Sequence, residues 1–180
     1  MKNKRLMGII GLIAAAVIGT AIYSATAGKD NKAATSNEKA KVGVLQLVSH
    51  PSLDLIYKGI QDGLAEEGYD KDKVDIDFLN AEGDQNKVAT MSKQLVDKDN
   101  QVLIGIATPS AQGLASATKD KPIVMGAVTD PVGANLVKDL KKPGGNITGV
   151  SDHNPTEQQL KLIKELTPNV KTIGVLYSTS

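Results

Sequence analysis

VLIGIATPSAQGLASAT, residues 102–118, runs a buried strand straight into a helix. Val102, Leu103, Ile104 and Ile106 form an apolar, β-branched run without a polar break, the pattern of a parallel strand covered on both faces. The chain then turns at Thr108-Pro109-Ser110. Thr108 suits the N-cap, and Pro109 suits the first helical position, where its missing N–H is no loss. Small residues follow, so a ligand could approach the helix closely. A helix begun this way presents free N–H groups and the positive end of its dipole to an anion, with the hydroxyls of Thr108 and Ser110 beside them. The reading is that this turn holds the carboxylate of a small ligand. The plainer alternative is an ordinary capped helix.

Working outward, the same strand–helix alternation extends in both directions. Val42 to Val48 reads as a strand, and Ser49-His50-Pro51-Ser52 as a turn. Leu53, Ile56, Ile60 and Leu64 recur at helical spacing until Gly68 stops the helix. Val74 to Leu79 is a second strand, in which the alternating Asp75 and Asp77 place it at a sheet edge or on a half-exposed face. Asp84 caps the next helix, with Val88, Met91 and Leu95 on one side. Beyond the central stretch, Pro122 opens a strand at Ile123 to Val128, and Thr129-Asp130-Pro131-Val132-Gly133 turns. A short helical piece is expected over Ala134 to Leu140. A loop at 142–146 leads to a strand at Ile147 to Ser151, a helix at Thr156 to Leu166 and a last strand at Thr172 to Tyr177. Alternation of this kind predicts an α/β fold, a parallel sheet with helices on both faces. Ligands bind such sheets beyond the carboxyl ends of the strands. Ser49-His50, Asn80, Thr108-Ser110 and Thr129-Asp130 all fall there.

Composition narrows the chemistry. The chain has 180 residues, 41% hydrophobic and 23% charged, enough for one globular core or one domain with part of another. The formal net charge of +1 gives no reason to expect nucleic acid, and without Lys2, Lys4 and Arg5 the remainder is slightly acidic. Arg5 is the only arginine, so an anion site in the body must use backbone N–H groups, hydroxyls or lysine. There is no cysteine, which excludes thiol catalysis, cysteine-ligated zinc and disulfides. With His50 and His153 as the only histidines, a histidine-rich metal site is not expected, and no cofactor is implied. Ser110 lies outside any G-x-S-x-G elbow, and G-x-G-x-x-G and Walker loops are missing. Enzyme activity is therefore not expected.

The amino-terminal segment reads as an export signal. Lys2, Lys4 and Arg5 precede an apolar run from Leu6 to Tyr23, and Ala25-Thr26-Ala27 offers a small-x-small cleavage site. The run is nearly long enough to span a bilayer, so residues 1–27 are either a signal peptide or a retained membrane anchor. Residues 28–41 are polar and unpatterned, a disordered linker. The organisation expected is a ligand-binding lobe over 42–146, then a crossing and the start of a second lobe over 147–180. The final strand lacks an obvious partner, and the expectation is an amino-terminal piece of a longer protein.

In the stretches VGVLQLVSHPSLDLIYKGIQDGLAEEGY, FLNAEGDQ, GIATPSAQGLASATKD, AVTDPVGANLVKDLKKPGGNITGVSDHNP and LTPNVKTIGVLY, the chain resembles the solute-binding proteins of ABC importers. The likeness is to the subgroup with two flavodoxin-like lobes (the type I periplasmic-binding-protein fold), here with its second lobe truncated, and within it to tryptophan-binding members of Gram-positive aromatic amino-acid importers. TDP followed by PGGNITGV is the most telling part. The resemblance implies a monomeric, extracytoplasmic receptor that closes two lobes around an amino acid, tryptophan or another aromatic, and delivers it to a permease driven by an ATPase. Membrane contact would come through the amino-terminal segment or through the permease. Many relatives carry a lipobox cysteine, which this sequence lacks. Ile147 to Ser151 would be the first strand to cross between lobes. Carried onto this chain, Thr108 and Ser110 would hold the carboxylate, Asp130 would receive the amino group, and Ser49 and His50 would line the cleft. Asn80 and Asn154 are further candidates. Asp152 and His153 sit near the crossing, and Tyr57 and Tyr69 read as packing or surface residues. A sugar-binding protein or a ligand-sensing receptor of the same two-lobed fold is the alternative. Sugar sites stack aromatic rings on their ligand, and only 3% of the chain is aromatic.

Overall fold

The structure, a computed structural model, describes residues 38–176. The expected leader (1–27), residues 28–37 of the expected linker, and Tyr177 at the end of the last expected strand lie outside the described residues.

Five parallel strands make one sheet: β1 (Ala40–Gln46), β2 (Val74–Asn80), β3 (Val102–Ile106), β4 (Ile123–Val128) and β5 (Ile147–Ser151). The helices are α1 (Pro51–Glu66), α2 (Gln85–Asp97), α3 (Thr108–Ala117) and α4 (Thr156–Leu166). Spatial order is β2-β1-β3-β4-β5, the doubly wound flavodoxin-like arrangement expected from the sequence. In this order the chain reverses its direction of travel across the sheet between β1 and β3. Their carboxyl ends are level, with Gln46 beside Ile106. The edge expected from Asp75 and Asp77 is where β2 lies.

Alternate side chains of the strands feed two cores. Val42, Val44, Val102, Ile104 and Ile106 pack under α1 with Leu53, Ile56, Ile60 and Leu64. Leu45, Leu103, Ile123 and Met125 pack on the opposite face with Val88 and Leu95 of α2 and Ala111, Leu114 and Ala115 of α3. All of β3 is buried, as its unbroken apolar run requires. Each large side chain buried there contributes roughly 1.5–3 kcal/mol. Gly105 sets how closely α3 sits on the sheet, because a Cβ at that position would lie 2.7 Å from the Ala111 backbone. Tyr57 of α1 stacks on Phe78 of β2 with ring centroids 4.2 Å apart, and partial burial raises the pKa of its hydroxyl above the ordinary tyrosine value. It is a packing residue, as expected.

The helix ends follow local chemistry. Gly68, at φ 86°, ends α1 with the paired bonds of a Schellman turn, Tyr69 N to Leu64 O at 2.8 Å and Gly68 N to Ala65 O at 3.0 Å. Asp84 caps α2 by accepting from the backbone N–H groups of Asn86 and Lys87.

The structure departs from four sequence expectations. Ala40 and Lys41, expected at the end of a disordered linker, already belong to β1, because Ala40 N bonds to Lys73 O at 2.8 Å and the ladder with β2 starts there. Residues 134–140 form turns rather than a helix. Asn135 is left-handed at φ 57°, and the N–H groups of Leu136 and Val137 both bond back to Pro131 O, so no helical ladder starts. Residues 172–176 are not a strand; they have no ladder partner among the described residues, and Val175 and Leu176 are exposed. The N-cap of α3 is Ala107, not Thr108, which is already helical.

Candidate functional site

Parallel strands bring all their outgoing turns to one rim, so every candidate lies at or beyond a strand's carboxyl end. The rim is where the backbone departs most from ordinary geometry. Glu82 after β2, Ala107 after β3 and Ala127 near the end of β4 have positive φ of 55°, 75° and 53°. Ala107, with ψ 158°, occupies a region that only glycine enters freely, and such strain collects at functional sites. Ala127 coincides with a register shift between β4 and β5.

The β3–α3 turn has an open helix start. No side chain caps α3, and Pro109 in its first turn has no N–H to offer. Ser110 is fully buried and its Oγ has no hydrogen-bond partner. Thr108 is half-buried. A helix start without a cap leaves backbone donors and the positive dipole end available. Thr108 and Ser110 both belong to this first turn.

The neighbouring β1–α1 turn is built in the opposite sense. His50 caps α1, its Nδ1 accepting from Ser52 N at 3.2 Å, so the neutral ring carries its proton on Nε2. Ser49 is exposed and donates to Asp54 Oδ2 at 3.4 Å. Gln46, the last residue of β1, is 1% exposed and donates from Nε2 to Asp54 Oδ1 at 2.7 Å and to Val48 O at 3.0 Å. Its Oε1 has no partner. Sequence reasoning missed Gln46 and Asp54, although Gln46 is the one polar side chain in the run VGVLQLV.

The topology therefore brings Ser49, His50, Thr108 and Ser110 to adjacent turns at the point where the strand order reverses. Asn80 and Asp130 flank them on either side. Asn80 Oδ1 accepts from Glu82 N at 2.8 Å, and Asp130 Oδ1 from Gly133 N at 2.8 Å, so each shapes its own turn. Asn154, beyond the edge strand β5, is farthest from the crevice; its Oδ1 accepts from Gln159 Nε2 at 2.7 Å at the start of α4. On the rim beside Asn80, Glu82 pairs with Lys87, which lowers the carboxyl pKa and raises that of the amine. No group of three metal-ligating side chains converges among the described residues.

Similarity to known proteins gives this geometry its setting. Residues 41–180 match the family described as ABC transporter substrate binding protein. A tyrosine-binding protein of Clostridioides difficile is 43% identical, with all of this chain aligned to 54% of that protein. Among solved structures, an ABC domain from Streptococcus pneumoniae in complex with L-tryptophan is 77% identical with a TM-score of 0.76, covering 79% of this chain and 48% of its own. A ligand-free, open substrate-binding protein with adhesive properties from Clostridium difficile is 43% identical with a TM-score of 0.68, covering 78% of this chain and 48% of its own. The chain thus spans about half the length of the relatives it matches. With the family matched over most of its residues and the sheet order expected of one lobe, the chain belongs to the ABC transporter substrate-binding proteins.

Proposed function

We propose that this chain is the first lobe of a receptor that binds an aromatic amino acid, tryptophan or tyrosine, and presents it to an ABC importer. The observation that carries this reading is the uncapped start of α3 behind the strained Ala107, with the buried, unpartnered Ser110 hydroxyl in its first turn. In a chain whose one arginine lies at position 5, this is the feature suited to a carboxylate. The tryptophan complex of the Streptococcus pneumoniae domain and the naming of the Clostridioides difficile relative as tyrosine-binding support the choice of solute.

On this reading Thr108 and Ser110 hold the solute carboxylate, and Ser49 and His50 line the crevice, His50 through its Nε2–H. Asn80, Asp130 and Asn154 stand around it. Residues 42–146 are the lobe, and 147–180 carry the crossing and the start of a second lobe that completes the cleft. Residues 1–27 direct export or anchor the protein outside the cytoplasm, and the stretch from 28 to the start of β1 at Ala40 tethers it. Permease and ATPase subunits are its partners. Its role is binding, not catalysis.

A thermal-shift screen of the twenty amino acids on the full-length protein tests the reading. An aromatic amino acid at about 100 times its Kd stabilises the folded state by about 2.7 kcal/mol, a rise of several degrees in Tm. Thr108→Val combined with Ser110→Ala weakens binding by roughly 1–3 kcal/mol in calorimetry, through loss of hydrogen bonds to a charged group. No shift with any amino acid overturns the reading. Unchanged affinity in the double variant removes the β3–α3 turn from the site.

A further inference from the structure

Building on the amino-acid reading, we propose that Asp54 and Gln46 form the ammonium-binding half of the site: the Asp54 carboxylate and the Gln46 Oε1 accept the hydrogens of the solute's α-ammonium group. Gln46 follows Val42 and Val44 on the α1 side of β1, as strand alternation dictates, and so reaches under the first turns of α1, where Asp54 sits. The amide orientation is set by its partners. Asp54 Oδ1 and Val48 O can only accept, so the Gln46 NH2 group faces them and Oε1 points elsewhere. That oxygen is buried and unsatisfied, a state native proteins avoid unless something supplies the missing donor.

The cluster as a whole lacks donors. Among the described residues, Asp54 Oδ2 has only the long contact from Ser49 Oγ at 3.4 Å. Among the described residues no lysine pairs with Asp54; the ion pairs involve Asp62, Glu82, Asp77 and Glu157 instead. A primary ammonium brings three donors, a full positive charge and no acceptor, which matches this deficit. Position agrees with chemistry. Gln46 is level with Ile106, so the acceptor-rich β1–α1 turn lies beside the donor-rich β3–α3 turn, and the two present opposite poles to a zwitterion. Asp130, the carboxylate singled out from the sequence for this role, already holds Gly133 N with Oδ1 and lies one strand farther along, after β4.

The test compares each aromatic amino acid with its des-amino counterpart: L-tryptophan with indole-3-propionate, and L-tyrosine with 3-(4-hydroxyphenyl)propionate. Affinities are measured by calorimetry on the full-length protein. Asp54→Asn weakens the amino acid roughly 10- to 100-fold and leaves the des-amino acid nearly unchanged, collapsing the discrimination between them. Gln46→Leu moves it the same way by less. If Asp54→Asn does not fold, Asp54→Ala, a strong helix former at this fourth helical position, replaces it. Equal losses for both ligands make Asp54 structural and overturn the proposal. Collapse of discrimination in Asp130→Asn but not in Asp54→Asn overturns it too, in favour of Asp130. A wild-type protein that binds no amino acid overturns the functional reading and this proposal with it. A wild-type protein that binds while the Asp54 variant discriminates as before overturns the proposal alone.

Discussion

The two strand-to-helix turns at the centre of the rim solve the same local problem in opposite ways. After β1, His50 caps α1, and Gln46, Ser49 and Asp54 gather oxygen acceptors beneath it. After β3, nothing caps α3, Ala107 takes a conformation alanine disfavours, and a serine hydroxyl is buried without a partner. The first turn is capped but keeps an unpaired acceptor, Gln46 Oε1, and the second is left uncapped at a local cost, the arrangement expected where ligand binding as well as folding selects the geometry.

The contrast can be broken most strongly at Gly105. Gly105→Val drives a branched side chain into the Ala111 backbone, displacing the α3 start that the open turn depends on. The expected loss is about 1–3 kcal/mol of stability by overpacking, read by chemical denaturation, together with loss of measurable solute binding. A smaller effect sharpens the contrast. His50→Ala removes a working cap and lowers stability by about 1 kcal/mol, whereas Ser110→Ala removes an unsatisfied hydroxyl and leaves the stability of the ligand-free protein equal or higher. Equal losses in the two variants would show that Ser110 is satisfied after all. The smallest effect lies at the flank. Because Lys87 lowers the Glu82 pKa, the stability from this pair is present above the unfolded carboxylate pKa and is lost as pH falls through the lower folded value. Both groups are fully exposed, so Glu82→Gln flattens only a slight acid limb of the Tm–pH curve, and added salt does the same.

Much of this was legible before any coordinates. The apolar run at 102–106 announced a central strand, Asp75 and Asp77 an edge, Gly68 and Asp84 the helix limits, and each is found there. These signals are local: burial on two faces, burial on one, a left-handed stop, a side-chain cap. What stayed hidden depends on contacts far apart or on backbone geometry. Nothing in Ala107 hints that it will be held at φ 75°, because the hold comes from β3 and α3 together, with Ala107 N bonded to Gly126 O of the next strand. Leu136 and Val137 lie within the stretch expected to be helical, yet they reach the core from turns. Gln46 and Asp54 were overlooked because their partnership spans two elements and neither belongs to a recognised short motif. The last expected strand failed for the plainest reason: a strand needs a neighbour, and residues 172–176 have none among the described residues.

The uniform direction of the strands also gathers acidic residues at the crevice rim. Lys39, Lys73, Lys98, Lys121 and Lys142 each lie shortly before a strand, at the end of the sheet away from the crevice, with Asp70, Asp72, Asp97, Asp99 and Asp120 standing among them. Several of them serve backbone carbonyls there, Lys73 donating to Gly68 O and Lys121 to Lys98 O and Asn100 O. The residues directly following the strands include Glu82, Asp84, Asp130 and Asp152, and the only lysines in those connections are Lys138, Lys141 and Lys142 of the long β4–β5 loop. The rim is therefore acidic while the opposite end carries both signs, so a free anion is repelled from the crevice mouth and a free cation is drawn to it. A solute of zero net charge is steered to neither pole. It reaches the crevice by unguided diffusion, and selection falls to the contacts it makes there.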